Sequence, residues 1–457
     1  MTLRIRTLIS SALVTACLAA AAGAQSLPAA TSSANLDAVE HSIVAAIDAD
    51  EDEARALLRR VVEINSGTMN FAGVRAVGKA FLDEFENMGF TARWEDGTDF
   101  GRAGHLWAGH GERGVKLLLI GHLDTVFAAD SPFQDYTELD GDRVKGPGIT
   151  DMKGGNVIIV YALRALADAG VLDDMSIQVM LTGDEESRGK PHSIANRTLI
   201  DAAKWADVAL GFEDGDGDPA TAVVSRRGSV GWRLDVSGKP AHSSQIFRDD
   251  IGYGAVFELA RILDRFRTAL SDEPNLTFNP GVIVGGTDIA LDSARGTAFG
   301  KSNVIARGAR ARGGIRALSP EQLSMAKATM QDIVADNLPH TQASLRFLDG
   351  YPPMAPTAGN HRLLKFYSEA SEDLGFGAVS AVDPRRAGAA DISFAANHVD
   401  MALDGLGLMG DGGHTDEEVA DMATLTRNAK RAAVLIYRLH KQQEIGNANQ
   451  FDGRLDD

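Results

Sequence analysis

A chain of 457 residues that is 44% hydrophobic and 24% charged has an ordinary soluble globular composition, long enough for two or three domains. Its formal net charge of -18 makes nucleic acid and anionic lipid surfaces poor partners.

The N-terminus, MTLRIRTLISSALVTACLAAAAGAQ, places Arg4 and Arg6 before an alanine-rich apolar run that ends in Ala22-Gly23-Ala24. This is the pattern of a bacterial secretory signal over residues 1–24, cleaved after Ala24, and it predicts a periplasmic or secreted protein. As a membrane span the segment is too weakly hydrophobic. Val14-Thr15-Ala16-Cys17 loosely resembles a lipobox, but the apolar Leu18 to Ala24 that follows makes lipidation at Cys17 the lesser alternative. Cleavage would remove the only cysteine and, with Arg4 and Arg6 gone, take the net charge from -18 to -20. A metal in the mature chain would then need nitrogen and oxygen ligands.

After a Ser/Ala-rich lead over 25–35, LDAVEHSIVAAIDADEDEARALLRRVVEI reads as one or two helices with Val39, Ile43, Ala46 and Ile47 on one stripe. VRAVGKAFLDEFENMGF is another, with Val74, Val77, Phe81, Leu82 and Phe85 inward and Gly89 as its stop. Strands and helices then alternate: VKLLLIGHLD, GGNVIIVYALRALADAG, SIQVMLTGDEE, a helix over 193–206, and DVALGFED. Alternation of this kind predicts an α/β domain, a parallel or mixed sheet with helices on its faces. In such sheets ligands collect at the carboxyl ends of strands.

Near Thr221 the pattern changes. TAVVSRRGSVGWRLDVSGKP alternates like an antiparallel strand pair, and further strands and two helices continue to LRFLDG. That order predicts an inserted α+β, ferredoxin-like domain. The division expected is a signal at 1–24, a first domain over 25–222 and 351–440, an insertion over 223–350, and a flexible polar tail over 441–457.

Five stretches carry metal-competent side chains: GHLDTVF with His122 and Asp124, GPGITDMKGG with Asp151, LTGDEESRG with Glu185 and Glu186, LGFEDG with Glu213, and GLGLMGDGGHTDEE with His414. In a strand, residues two apart face the same side, so His122 and Asp124 aim into one space. Singly, each stretch has an ordinary reading as surface charge or turn. Together, at strand ends of one α/β domain, they form the inventory of a two-metal site: nitrogen and oxygen ligands, a bridging carboxylate, and a free carboxylate to move protons.

In these motifs the chain resembles the dinuclear zinc peptidases and deacylases that include bacterial glutamate carboxypeptidase, aminoacylase and succinyl-diaminopimelate desuccinylase, over about residues 55 to 440, with the secreted glutamate carboxypeptidase branch as the nearest likeness. The resemblance implies a zinc-exopeptidase-like catalytic domain with an inserted lid and dimerisation domain, and two Zn2+ ions per chain, with Co2+ or Mn2+ as substitutes. It implies His122 and Glu213 as ligands of one zinc, Glu186 and His414 of the other, and Asp151 as the bridge through a cis Asp151-Met152 peptide. Glu185 falls on the general base that takes a proton from the zinc-bound water and returns it to the leaving nitrogen. Asp124 falls on the carboxylate that orients His122. In the insertion, SGKPAHSSQ places His242 on a histidine that reaches a neighbouring subunit's site to stabilise the oxyanion. KSNVIARGARARGGIRAL places Asn303 and Arg316 on groups that bind the substrate carboxylate.

The implied function is metallo-exopeptidase action on small peptides or N-acyl amino acids with a free carboxylate, by a homodimer joined through the lid. A deacylase or aminopeptidase of the same family, and an inactive periplasmic binding protein, are the alternatives. Three departures touch the substrate side. Gly314 stands where the family usually has an acidic residue, RRAGAADIS keeps Asp391 but lacks the usual hydroxyl, and the segment 287–302 is longer than expected.

Overall fold

The computed structural model describes residues 35–292 and 295–452, with side chains through residue 442. The signal segment and Cys17 lie outside the described residues. None of the described helices is long and apolar enough to cross a membrane.

Helices α1 (Ala38–Ala49) and α2 (Glu51–Val62) meet at Asp50, and Asp37 and Glu40 cap α1 reciprocally. The next helix, α3 (Phe71–Asn87), buries Val74, Val77, Phe81 and Phe85, while Leu82 is only partly buried. Strands β1 (Thr91–Asp96), β2 (Gly104–His110), β3 (Lys116–His122), β4 (Ser176–Thr182) and β5 (Val208–Gly211) form a mixed sheet in the order β1-β2-β4-β3-β5, closed by Met401–Leu403. The β4-β3-β5 ribbon and Met401–Leu403 are parallel; β1 and β2 are antiparallel, with β1 at the edge.

β3 is apolar on both faces because both are covered. Leu117 and Leu119 enter the core packed by α1, α2, α3 and α4 (Gly154–Asp168), whereas Leu118 and Ile120 face the helical segments Arg197–Trp205 and Ile392–Ala395 on the other side. In α4, Val157, Ile158, Ile159 and Val160 are all fully buried, each worth about 1.5–3 kcal/mol of transfer free energy. Register aligns His122 with Thr182 and Ile120 with Gly211. The loops that follow β3, β4 and β5 therefore open at one edge of the sheet.

The insertion has a βαββαβ order with strands β6 (Val230–Gly238), β7 (Thr277–Gly286), β8 (Gly308–Arg316) and β9 (Thr341–Phe347), arranged β7-β8-β6-β9 and antiparallel throughout, which is the ferredoxin-like arrangement. Helices α5 (Gly254–Leu270) and α6 (Pro320–Ala335) pack on it, and Trp232, Leu234, Ile262, Phe266 and Met330 form a core separate from that of the first domain. Between β7 and β8, the longer segment folds as a hairpin of Asp288–Leu291 with Gly296–Phe299.

One expectation is corrected. The stretch 221–240 is not a strand pair: Thr221–Ala222 pairs in parallel with Ser380–Ala381, while β6 belongs to the insertion. The residues between them are held as a crossing, because Arg226 is drawn to Asp404 at 2.7 Å and Gly228 packs so closely on Pro353 that a Cβ would come within 2.7 Å of its nitrogen. The last helix, α7 (Ala423–Asp452), runs on past residue 441. A helix already seated on the core has its costly nucleus formed, so each added residue contributes one further hydrogen bond. Residues 453–457 lie outside the described residues.

Candidate metal centre

His122 ends β3 and is buried to 1% exposure. Its Nδ1–H donates to the Asp124 carbonyl at 2.9 Å, which directs the Nε2 lone pair outward. That Nε2 lies 3.0 Å from Asp151 Oδ1 and 3.5 Å from Glu213 Oε1. The other oxygen of the same carboxylate, Asp151 Oδ2, lies 2.8 Å from His414 Nε2, and His414 is 3.3 Å from Glu186 Oε2. Ligand atoms of His122, Asp151 and Glu186 all fall within 4.8 Å of one another. All five residues assigned to metal from the sequence are thus brought together, with Asp151 in the middle.

The loops are held from behind. Asp124 is fully buried; its carboxylate accepts from Thr68 Oγ1 at 2.6 Å and from the Glu185 and Glu186 amides at 3.0 and 3.2 Å. The nearest Asp124 carboxylate oxygen is 3.6 Å from His122 Nδ1. So the backbone carbonyl orients the histidine more directly than the carboxylate does, and the carboxylate mainly fixes the glutamate loop. Asp151 sits at a cis peptide with Met152, in the turn Ile149–Lys153 ahead of α4 rather than at a strand end. His414 lies in the loop between the short strands Gly410–Asp411 and Val419–Asp421, with φ 64° and a side chain 59% exposed.

Residues that sequence reasoning passed over do much of this holding. Glu418, fully buried, accepts from the amides of Gly148, Thr150 and Asp151 at 2.8, 2.8 and 3.2 Å and so fixes the turn that presents Asp151. Asp404 accepts from the Glu213 amide at 3.3 Å and from Arg226. Arg188 joins Asp184, Asp391 and the Tyr351 hydroxyl, and Tyr351 donates to the Glu185 carbonyl at 2.7 Å. The signal for Glu418 was present, four residues after His414 in the same acidic stretch. Nothing in the pattern separated it from its exposed neighbours Asp416 and Glu417.

A model of peptidase family M20/M25/M40 matches residues 118–438, well over half of the chain. The chain belongs to this family. Carboxypeptidase G2 of Pseudomonas sp. (strain RS-16) is 28% identical over 394 residues, covering 84% of this chain and 88% of that protein. Succinyl-diaminopimelate desuccinylase of Alkalilimnicola ehrlichii is 30% identical over 193 residues, 40% of this chain and 50% of that protein. In fold, the chain is similar to the aminopeptidase PepT of Bacillus cereus, with a TM-score of 0.66 at 17% identity over 85% of this chain and 98% of that one. Its homologues in the M20 family act on amide bonds, and the chain is a hydrolase of that metallopeptidase class.

The donor set of this M20 chain fits hard or borderline divalent cations. Glu186 Oε1 is buried with no hydrogen-bond partner, the state of an oxygen reserved for a cation. Burial pushes the Glu186 carboxyl up to about 7, against the pull of His414, and raises Glu213 well above its usual range. Burial opposes charge on His122, yet Glu213, Asp124 and Asp151 together hold its pKa well above normal. Asp151 and Glu186 raise His414 to about 11.

Glu185 is part-buried behind the cluster, with burial raising its pKa. The three lid residues are not brought to it as a group. His242 is exposed and contacts Ser244 at 2.8 Å, its strand bridging to Val304 next to Asn303, which is also exposed. Arg316 is at the other end of the nine-residue β8, on the order of 25 Å away at the rise of a strand. That end adjoins the body through the Ser229–Tyr351 bridge. Near it, burial and the charges of Arg316 and Arg385 hold Arg227 below its usual pKa. A Cβ at Gly314 would meet only the Val230 carbonyl at 3.9 Å, so packing does not require glycine there.

Proposed function

We propose that the chain is an exported dinuclear zinc carboxypeptidase or N-acyl-amino-acid hydrolase, similar in activity to carboxypeptidase G2. The observation that carries the two-ion reading is the central carboxylate, each of whose oxygens faces a different histidine, His122 at 3.0 Å and His414 at 2.8 Å. His122 with Glu213 would hold one ion, His414 with Glu186 the other, and Asp151 both. Two such ions, when bound, polarise an amide carbonyl and make water a nucleophile at neutral pH.

Glu185 takes a proton from the attacking water and returns it to the leaving nitrogen. Its place is set by the Asp124 carboxylate on its amide and the Tyr351 hydroxyl on its carbonyl. Arg316, with Arg227 and Arg385 nearby, suits a substrate that ends in carboxylate. His242 and Asn303, a strand length away, would serve the site of a second copy. A homodimer through the lid is supported by β7, an edge strand of its sheet, and by the exposure there of Ile283 (52%) and of Phe257 on α5 (53%).

The test is metal content of the chain lacking residues 1–24, with hydrolysis of N-acyl amino acids and peptides ending in glutamate. Two zinc ions per chain and chelator-sensitive cleavage are expected; one ion, or no cleavage of any member, overturns the reading. The second reading is an aminopeptidase or deacylase of the same family acting on a substrate without a terminal carboxylate. Arg316→Ala separates the two, since a carboxylate clamp shows in the KM for acidic substrates.

A further inference from the structure

A cavity of about 490 Å³ opens directly beside Glu186, of a size that takes a small-molecule group. Its walls are two loops, 66–70 ahead of α3 and 125–129 after β3. They are zipped by backbone hydrogen bonds from Thr68 N to the Thr125 carbonyl (3.1 Å) and from Thr125 N to the Ser66 carbonyl (3.0 Å). Gly67 permits this approach, because a Cβ there would fall 2.2 Å from the Phe127 carbonyl.

The polar side chains along these walls already have partners. Thr68 donates to Asp124. Asn70 caps α3 through Gly73 and donates to the Asn65 carbonyl. Thr125 Oγ1 accepts from the Phe127 amide at 3.4 Å, and Ser187 Oγ accepts from Arg102 at 3.2 Å. Apart from the Thr125 and Ser187 hydroxyl protons, what remains to meet a ligand is apolar: Met69, 66% exposed, Val126, 41% exposed, and the methyls of Ala128 and Ala129. Large apolar side chains left open at the rim of a polar centre signal a ligand group of the same character.

Building on the hydrolase reading above, we propose that this cavity is the subsite for an uncharged, apolar group on the acyl side of the scissile amide. The carboxylate-bearing half of the substrate needs cations, and among the cavity's lining residues there is no lysine, arginine or histidine. Glu186 is the only charged residue of the lining, which places the cavity's inner end at the metal cluster. The preferred substrates therefore carry an extended alkyl or aryl acyl group rather than a charged or very small one.

The test uses the zinc-loaded chain and the acyl product itself, as straight-chain carboxylates from acetate to hexanoate titrated by calorimetry. Affinity should rise about three- to fourfold per methylene, on the order of a hundredfold over the series. In Val126→Asp and Met69→Asp the hexanoate-to-acetate ratio should fall to within about threefold of unity. Val126→Ala and Met69→Ala, which add no charge, should lower it by a smaller factor and guard against a misfolded aspartate variant. A flat series in the parent chain, or an unchanged ratio in all four variants, overturns the subsite. The hydrolase reading fails separately: a steep series with no amide cleaved removes that reading and leaves the subsite, whereas cleavage with a flat series does the reverse.

Discussion

The body and the lid present most of their functional side chains in opposite states, His414, 59% exposed, being the exception in the body. In the body, His122, Asp124 and Glu418 are buried to 1% exposure or less and held by several hydrogen bonds each, so the cluster exists before any ligand arrives. In the lid, His242, Asn303 and Arg316 are all exposed, and two of them are separated from the third by the length of β8. One chain brings the five candidate metal ligands together by itself. On the proposed reading it cannot assemble the substrate side alone, because a single carboxylate cannot touch both ends of one strand.

The sharpest way to break this contrast is at the centre of the body. Asp151→Ala removes the carboxylate that faces both histidines and, on the proposed two-zinc reading, should lose at least one ion together with measurable hydrolysis, checked by metal analysis and assay. Glu185→Gln should keep both ions and lower kcat by about 10²- to 10⁴-fold, which separates proton transfer from metal binding. In the lid, if two copies join there as proposed, Phe257→Asp should give a monomer in sedimentation and lower kcat by roughly 10²-fold, with zinc content unchanged, since His242 of one copy would then be withdrawn from the other. A monomer of full activity would overturn the shared site.

Smaller effects test the supports. Glu418→Gln keeps the size of the side chain but weakens the grip on the turn before α4, and zinc affinity should fall about 10- to 100-fold, read by competition with a chelator. The smallest expected change is a pH slope. His105, buried on β2, accepts from the Gly183 amide at Nδ1 (3.1 Å) and donates from Nε2 to the Ala195 carbonyl (2.9 Å). Burial lowers its pKa below the ordinary value of 6.5, more than nearby Asp184 raises it. The unfolded chain then binds a proton that the folded chain refuses, so this contribution is complete above pH 6.5 and is lost as pH falls from there towards the folded pKa. Thermal melts should show the parent losing stability below pH 6.5 more steeply than His105→Gln.

Much of the fold was legible because it rests on local pattern. The apolar run of β3, the stripe of α3 and the glycine at 89 each act within a few residues, and the structure keeps them. The antiparallel strands β1 and β2 carried no comparable signal: they mix Arg93, Glu95, His105 and His110 among apolar positions. The stretch 221–240 alternated correctly but paired with distant partners, since alternation reports which face is buried and not which strand lies alongside.

For the site, sequence determined the kinds of group, histidine and carboxylate without thiol, and for His122, Glu185, Glu186 and Glu213 a position at or just after a strand end, because donor chemistry belongs to single residues. Tertiary structure alone decided that Asp151 splits its two oxygens between His122 and His414, which are 292 positions apart in the chain. It also decided that Glu418 supports the centre while its neighbours face water. Which carboxylates are buried, and which polar side chains along a cavity are already spent on other partners, depends on packing between segments distant in sequence. No local pattern encodes that.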